Sequence, residues 1–383
     1  MKSNLRFHGL LRSLVLAGGL LAGILSPRPP ARAQQFEDLQ TPRSPLALRA
    51  QGSFYVGGEI MEQTRDELGS FGPGGHITVN QMYVRYMIPQ GGERKAAVVL
   101  IHGMALTGKS WETTPDGRMG WDEYFARRGH AVYVPDQVGR GRSGFNQAIF
   151  NNVRVGVSPP TRQQPMWRFS DENTWPNFRL GPRPGVAYPG GQFPVAHVRE
   201  LSKQGVPDLS PAVPIPNPTY KALSDLAAQL KRAVLVSHSQ SGAFPLEAAL
   251  VNPAGIEGLV MVEPGGCPTS YTDGQVSTLA TKPILVVFGD HLGDAPTGIP
   301  GFSWQTAYDG CRAFVTRVNV AGGNARMLYL PDLGIRGNSH MLMQDRNNLQ
   351  IADLILKWIG ENVGGRRTRL NSRPGRPTRG KMD

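Results

Sequence analysis

The chain has 383 residues, 41 Lys and Arg against 29 Asp and Glu, a formal net charge of +12, and two cysteines. Residues 1–33 carry five basic and no acidic groups, and residues 364–383 carry seven against one, which leaves 29 basic and 28 acidic residues between them. A nucleic-acid surface needs basic residues clustered on the fold, so this distribution argues against such a partner. The near-neutral body of about 330 residues can bury one large core.

At the N-terminus, Lys2, Arg6 and Arg12 lead into the apolar stretch Leu14 to Leu25, and Ala31-Arg32-Ala33 offers a small-x-small cleavage site. Residues 1–33 therefore read as an export signal peptide. The apolar stretch is shorter than the ~20 residues that span a bilayer. No other segment is long and apolar enough to be transmembrane, so a soluble periplasmic or secreted product is expected.

Residues 34–50 read as an N-terminal linker. Phe54–Met61 and Ile77–Pro89 read as an opening antiparallel pair. Ala96–His102, Ala131–Asp136, Ala233–Ser237, Leu259–Glu263, Ile284–Phe288 and Met327–Leu330 are short and nearly all apolar, the pattern of parallel strands covered on both faces. Tyr220–Lys231, Gly242–Leu250, Trp304–Val320 and Asp345–Asn362 are helix candidates between them. This alternation predicts an α/β fold with a doubly wound, mostly parallel sheet, built from residues 51–144 and 219–363.

The intervening residues 145–218 hold 13 of the 32 prolines, interleaved with Trp167, Phe169, Trp175, Phe178, Tyr188 and Phe193. Aromatics at this density argue against disorder. The segment is expected to cap the carboxyl edge of the sheet. An extended arm on the surface or on a second subunit, and hence a homodimer, is the open alternative. Residues 364–383, rich in Arg, Gly and Pro, read as a disordered basic tail. Cys267 and Cys311 are expected to form a disulfide in an oxidising compartment.

Two nucleotide-like patterns lack their context. Gly103-Met104-Ala105-Leu106-Thr107-Gly108-Lys109-Ser110 follows a strand, but Trp111-Glu112-Thr113-Thr114-Pro115 is a poor start for the helix a phosphate loop requires. Gly139-Arg140-Gly141-Arg142-Ser143-Gly144 also opens no helix, and no acid lies about 20 residues on. No His-x-His, His-Glu-x-x-His or paired-Cys spacing appears, so neither metal nor cofactor is expected.

The chemistry concentrates elsewhere. Ala233-Val234-Leu235-Val236-Ser237-His238-Ser239-Gln240-Ser241-Gly242 is an apolar strand ending in a small-x-Ser-x-small turn, with a helix-compatible stretch after it. His340 follows the last strand candidate and precedes the terminal helix. His291 and His238 are alternative bases, the first beside a strand end and the second expected to point away from the Ser239 pocket. Either Glu263 or Asp290 can supply a carboxylate at a strand end. An unpaired acid at the end of an apolar strand would be costly, which motivates a partner for Glu263.

The turn at Ser239 resembles the nucleophile elbow of the α/β-hydrolases, with Ser237 and Ser241 in place of the flanking glycines. Together with His102-Gly103-Met104-Ala105-Leu106-Thr107-Gly108 and Trp111-Glu112, it is similar to the exported bacterial serine esterases of the Alcaligenes type. That resemblance implies Ser239 as nucleophile, His340 as base, Glu263 as acid with Asp290 as the alternative, and the amides of Met104 and Gln240 as oxyanion donors. It implies a carboxylic-ester hydrolase acting through an acyl-enzyme. Some relatives carry adjacent cysteines where this chain has Met104-Ala105. An apolar or aromatic small-molecule ester is the expected substrate, with Trp111, Trp167, Trp175 and Phe178 as candidate contacts. An amidase, lactonase or acyltransferase would use the same residues, and a catalytically silent binding protein could share the fold.

Overall fold

The computed structural model describes residues 34–364 apart from 43, 92–94 and 295. The predicted signal peptide and all but the first residue of the predicted basic tail lie outside these residues. Eight strands form one sheet in the order β1-β2-β4-β3-β5-β6-β7-β8. β1 (Leu48–Gln63) and β2 (Gly75–Pro89) make the antiparallel opening pair, and β2 continues antiparallel onto β4 (Val132–Pro135). From β4 onward every pairing is parallel, through β3 (Ala97–Ile101), β5 (Ala233–His238), β6 (Ile256–Val262), β7 (Pro283–Phe288) and β8 (Asn324–Tyr329).

Strand residues alternate between two cores, as the two-residue period of a pleated strand requires. Val99, Ile101, Leu235, Met261 and Val286 face one layer, where they meet Leu223 and Leu226 of α5 (Pro218–Leu230), Leu246 of α6 (Phe244–Val251), Val276 of α7 (Asp273–Leu279) and Phe314 of α8 (Trp304–Val320). Val98, Leu100, Val234, Val236 and Val260 face the other, against Trp121 and Phe125 of α1 (Trp121–Arg127) and Ile351, Ile355 and Trp358 of α9 (Asn348–Asn362). Burial on both faces explains why these strands are apolar at nearly every position.

Residues 145–218 contain three short helices, α2 (Ala148–Arg154), α3 (Asp171–Asn177) and α4 (Val198–Lys203). Ser170 caps α3 by accepting the Asn173 N–H, and recurrent prolines keep such helices short. Trp175, Phe178, Leu180, Phe193 and Leu201 are buried in the same core as α1 and α9. The segment also touches the loop before α9, where the Phe178 carbonyl accepts the His340 N–H at 2.8 Å.

The stretch expected as a linker differs from that expectation. Gln34 N–H donates to Glu200 at 3.1 Å, Gln40 N–H donates to the Gly117 carbonyl at 2.8 Å, and Leu48–Ala50 already belong to β1. Backbone groups that find partners on the body hold this segment against it. Cys267 and Cys311 are disulfide-bonded, tying the loop after β6 to α8.

Candidate active site

β5 ends at His238, and Ser239 takes a left-handed φ of +59° before a 3-10 turn leads into α6. The conformation is costly for a residue with a side chain, and it lifts Ser239 clear of the sheet edge. Closest approach falls at Gly242, where a Cβ would lie 2.4 Å from Pro264 Cβ. Ser237 and Ser241 are tolerated because both hydroxyls find acceptors. Ser241 Oγ donates toward His238 O (2.9 Å) or Ile101 O (3.2 Å), and Ser237 Oγ toward Gly242 O (3.3 Å) or Val260 O (3.4 Å).

His340 lies in a buried loop anchored by Asp345, which accepts from Ser339 Oγ (2.7 Å), Ser339 N–H (2.9 Å) and Asn338 Nδ2 (2.9 Å). Its Nε2 is 2.8 Å from Ser239 Oγ, and its Nδ1 is 3.0 Å from Glu263 Oε2. Glu263 follows β6 with a φ of +51°, fixed by its own N–H donating to Val287 O at 2.8 Å and by Oε1 accepting the Gly289 N–H.

The sequence offered no sign of Arg179. It is buried, has a φ of +56°, donates from Nε to the Asp290 carbonyl at 2.7 Å and sets Nη2 2.6 Å from Glu263 Oε2. Burial pushes the Glu263 carboxyl up, but the Arg179 guanidinium and the His340 contact outweigh it and hold the group at about 2. Burial pushes His340 down to about 4, against the pull of Glu263. An ionised Glu263 then accepts from His340 Nδ1–H, which leaves Nε2 free to accept the Ser239 hydroxyl proton.

The alternative residues are engaged elsewhere. Asp290 accepts the N–H groups of His291 (2.8 Å) and Gly337 (3.0 Å), so it braces the loop that carries His340. His291 pairs with Asp294 at 2.6 Å and stacks on Tyr188 at 3.9 Å between ring centres. His238, expected to point away, borders the cavity beside Ser239. Its Nε2–H donates to the His340 carbonyl at 2.9 Å, and the two rings are 4.6 Å apart. Strand alternation explains this correction, because His238 shares a face with Val234 and Val236, the face on which the His340 loop packs.

A cavity of about 190 Å³ opens at Ser239, walled by Met104, Leu106, Phe169, Phe178, Phe302 and Trp304, with Gln240 at its edge. Three of the four expected contact aromatics lie outside that wall. Trp111 is fully buried against Trp121, with ring centres 5.5 Å apart, and Trp175 is buried in the core. Trp167 is 44% exposed, on a strand-like bridge to Asp208. Large aromatics serve packing as readily as binding, and of the four expected contacts only Phe178 lines the cavity. Trp304 was missed as a site residue because it opens α8, and a helix start carries no sign of what it faces. Its Nε1–H donates to Asn177 O at 2.6 Å and its ring lies 4.0 Å from His340.

Neither nucleotide-like pattern gains support. Gly108–Trp111 is a single 3-10 turn, and Lys109 Nζ donates to the Thr113 carbonyl at 2.6 Å. Among the described residues no cluster of three or more metal-ligating side chains occurs.

The parallel sheet, the left-handed turn after β5 and the late histidine loop define an α/β-hydrolase fold. No protein-family model matches the chain. The structure of a novel bacterial esterase is 48% identical with a TM-score of 0.78, over 84% of this chain and 99% of that one. A fungal protein named Probable secreted lipase phiG, from Fungal sp. (strain ATCC 74256), is 28% identical over 366 residues, 82% of this chain and 95% of its own. The chain thus belongs to the α/β-hydrolase family of that bacterial esterase. It is a carboxylic-ester hydrolase.

Proposed function

We propose that the chain is an exported serine esterase whose triad is Ser239, His340 and Glu263. The observation that carries this reading is the continuous contact from Ser239 Oγ through both nitrogens of His340 to Glu263 Oε2, at 2.8 and 3.0 Å. Ser239 Oγ attacks the ester carbonyl carbon while its proton passes to His340 Nε2. The N–H groups of Met104 and Gln240, residues that border the cavity, stabilise the oxygen that becomes negative. The leaving alcohol takes the proton from His340, and a water deprotonated by the same nitrogen releases the acid. Glu263 stays ionised throughout and holds the imidazole in the required tautomer.

The apolar wall suits an ester with a short acyl chain or a single ring at the acyl or alcohol side, and residues 145–218 supply Phe169 and Phe178 to that wall. Export is supported by the basic and apolar N-terminal sequence, by the disulfide, and by the fungal relative named a probable secreted lipase. No helix among the described residues is long and apolar enough to cross a membrane.

The mature chain treated with a fluorophosphonate probe and digested for mass spectrometry is expected to carry one adduct, on the peptide containing Ser239. A chain that hydrolyses p-nitrophenyl butyrate yet remains unlabelled, or is labelled at another serine, contradicts the assignment.

A further inference from the structure

Arg140, the first of two arginines in the glycine-rich run after β4, forms a buried ion pair with Asp208 of the 145–218 segment. The guanidinium reaches both chain segments that flank Ser239. Its Nη2, the nitrogen that faces Asp208, shares its two N–H groups with Gln240 Oε1 at 3.0 Å and Ser210 Oγ at 2.6 Å, and its Nη1 donates to the Gly103 carbonyl at 3.4 Å. Asp208 Oδ2 accepts the Ala105 N–H at 2.9 Å, and Oδ1 accepts the Ser210 N–H at 2.9 Å. Met104 is therefore clamped on both sides, at Gly103 by the cation and at Ala105 by the anion. Ala105 has a φ of +53°, a conformation a residue with a Cβ does not hold by its own preference. The carboxylate on its N–H supplies the restraint.

We infer that the Arg140–Asp208 pair positions the oxyanion hole, fixing the Met104 and Gln240 amides relative to each other. The inference rests on the acyl-transfer reading above. Donors aimed at a developing charge stabilise it only when they are already in place, and the two donors here come from loops distant in sequence. One planar guanidinium can bond Gly103, Gln240 and Asp208 together, whereas an ammonium lacks that fixed fork.

The test uses the full mature chain, p-nitrophenyl butyrate as substrate and butylboronic acid as a tetrahedral mimic. Arg140→Lys is expected to lower kcat about 10²-fold, the scale of a lost oxyanion donor, with KM within about threefold of the parent. Inhibition by the boronic acid should weaken by the same factor. Removing one partner of a buried pair leaves the other uncompensated, so a double variant, Arg140→Met with Asp208→Leu, separates positioning from stability. Its Tm is expected to return toward that of the parent while kcat stays about 10²-fold down. Recovery of kcat together with Tm, or an Arg140→Lys enzyme with unchanged kcat and boronate affinity, overturns the inference. Should the double variant not fold, Asp208→Asn gives the reading: parallel losses in kcat and boronate affinity support the pair, and unchanged values overturn it. Ester hydrolysis by Ser239→Ala would instead remove the acyl-transfer reading itself. An inactive Ser239→Ala beside an unimpaired Arg140→Lys removes only the positioning role.

Discussion

Burial, a carboxylate and a guanidinium act together on His340. Burial lowers its pKa, Glu263 raises it and Arg179 lowers it, with the result at about 4. Glu263, Arg179, His238 and Ser239 surround the ring, and only the neutral imidazole can accept the serine proton. Activity is therefore expected to persist below the ordinary histidine pKa and to fall as pH drops toward 4. Arg179→Met removes a cation that disfavours the imidazolium, so the acid limb of the kcat/KM profile should move to higher pH. An unmoved limb contradicts this role for Arg179. The acid can be tested separately. Glu263→Gln should lose about 10⁴-fold in kcat, the scale for removing a triad carboxylate, whereas Asp290→Asn, which alters a loop brace, should lose far less. The reverse ranking moves the acid to Asp290.

At the scale of elements, α8 links the cavity to the disulfide, with Trp304 in the cavity wall at its start and Cys311 further along. Cys267 lies in the loop that follows Glu263, so the bond joins the carboxylate strand to the helix that walls the pocket. It closes a separation of 44 residues, worth at most about 4 kcal/mol in the chain-entropy model. Cys311→Ser or reduction is expected to lower Tm by up to about 6 °C, because the unfolding entropy of a body this large makes each kcal/mol worth only about 1.5 °C. A melting curve unchanged by reductant contradicts the contribution. The strands of this fold were legible because burial on two faces leaves an apolar run, and α8 emerged with its expected bounds. The 145–218 segment was not, because prolines erase helical periodicity and its contacts are long-range. Arg179 and Asp208 lie within it, and nothing local to either residue signals a buried anion 84 positions away or a buried cation 68 positions away in the chain.

Across the whole molecule, the site assembles from segments far apart in sequence: the elbow after β5, the carboxylate after β6, the loop before α9 and the inserted segment. Chain order put Ser239, Glu263 and His340 forward as candidates, since each sits at a strand end or beside the last described helix, and the structure brings the three side chains into contact. Their electrostatic setting was not readable, because it depends on which side chains share the buried volume. The segment expected as a cap packs Trp175, Phe178 and Phe193 into the core, and Phe178 also lines the cavity, so wall and core share one packing unit. The most direct measurement is kcat of purified Ser239→Ala against the parent on p-nitrophenyl butyrate, with folding checked by Tm. A fall of about 10⁴-fold or more at unchanged fold is expected; turnover within about tenfold of the parent would contradict the mechanism.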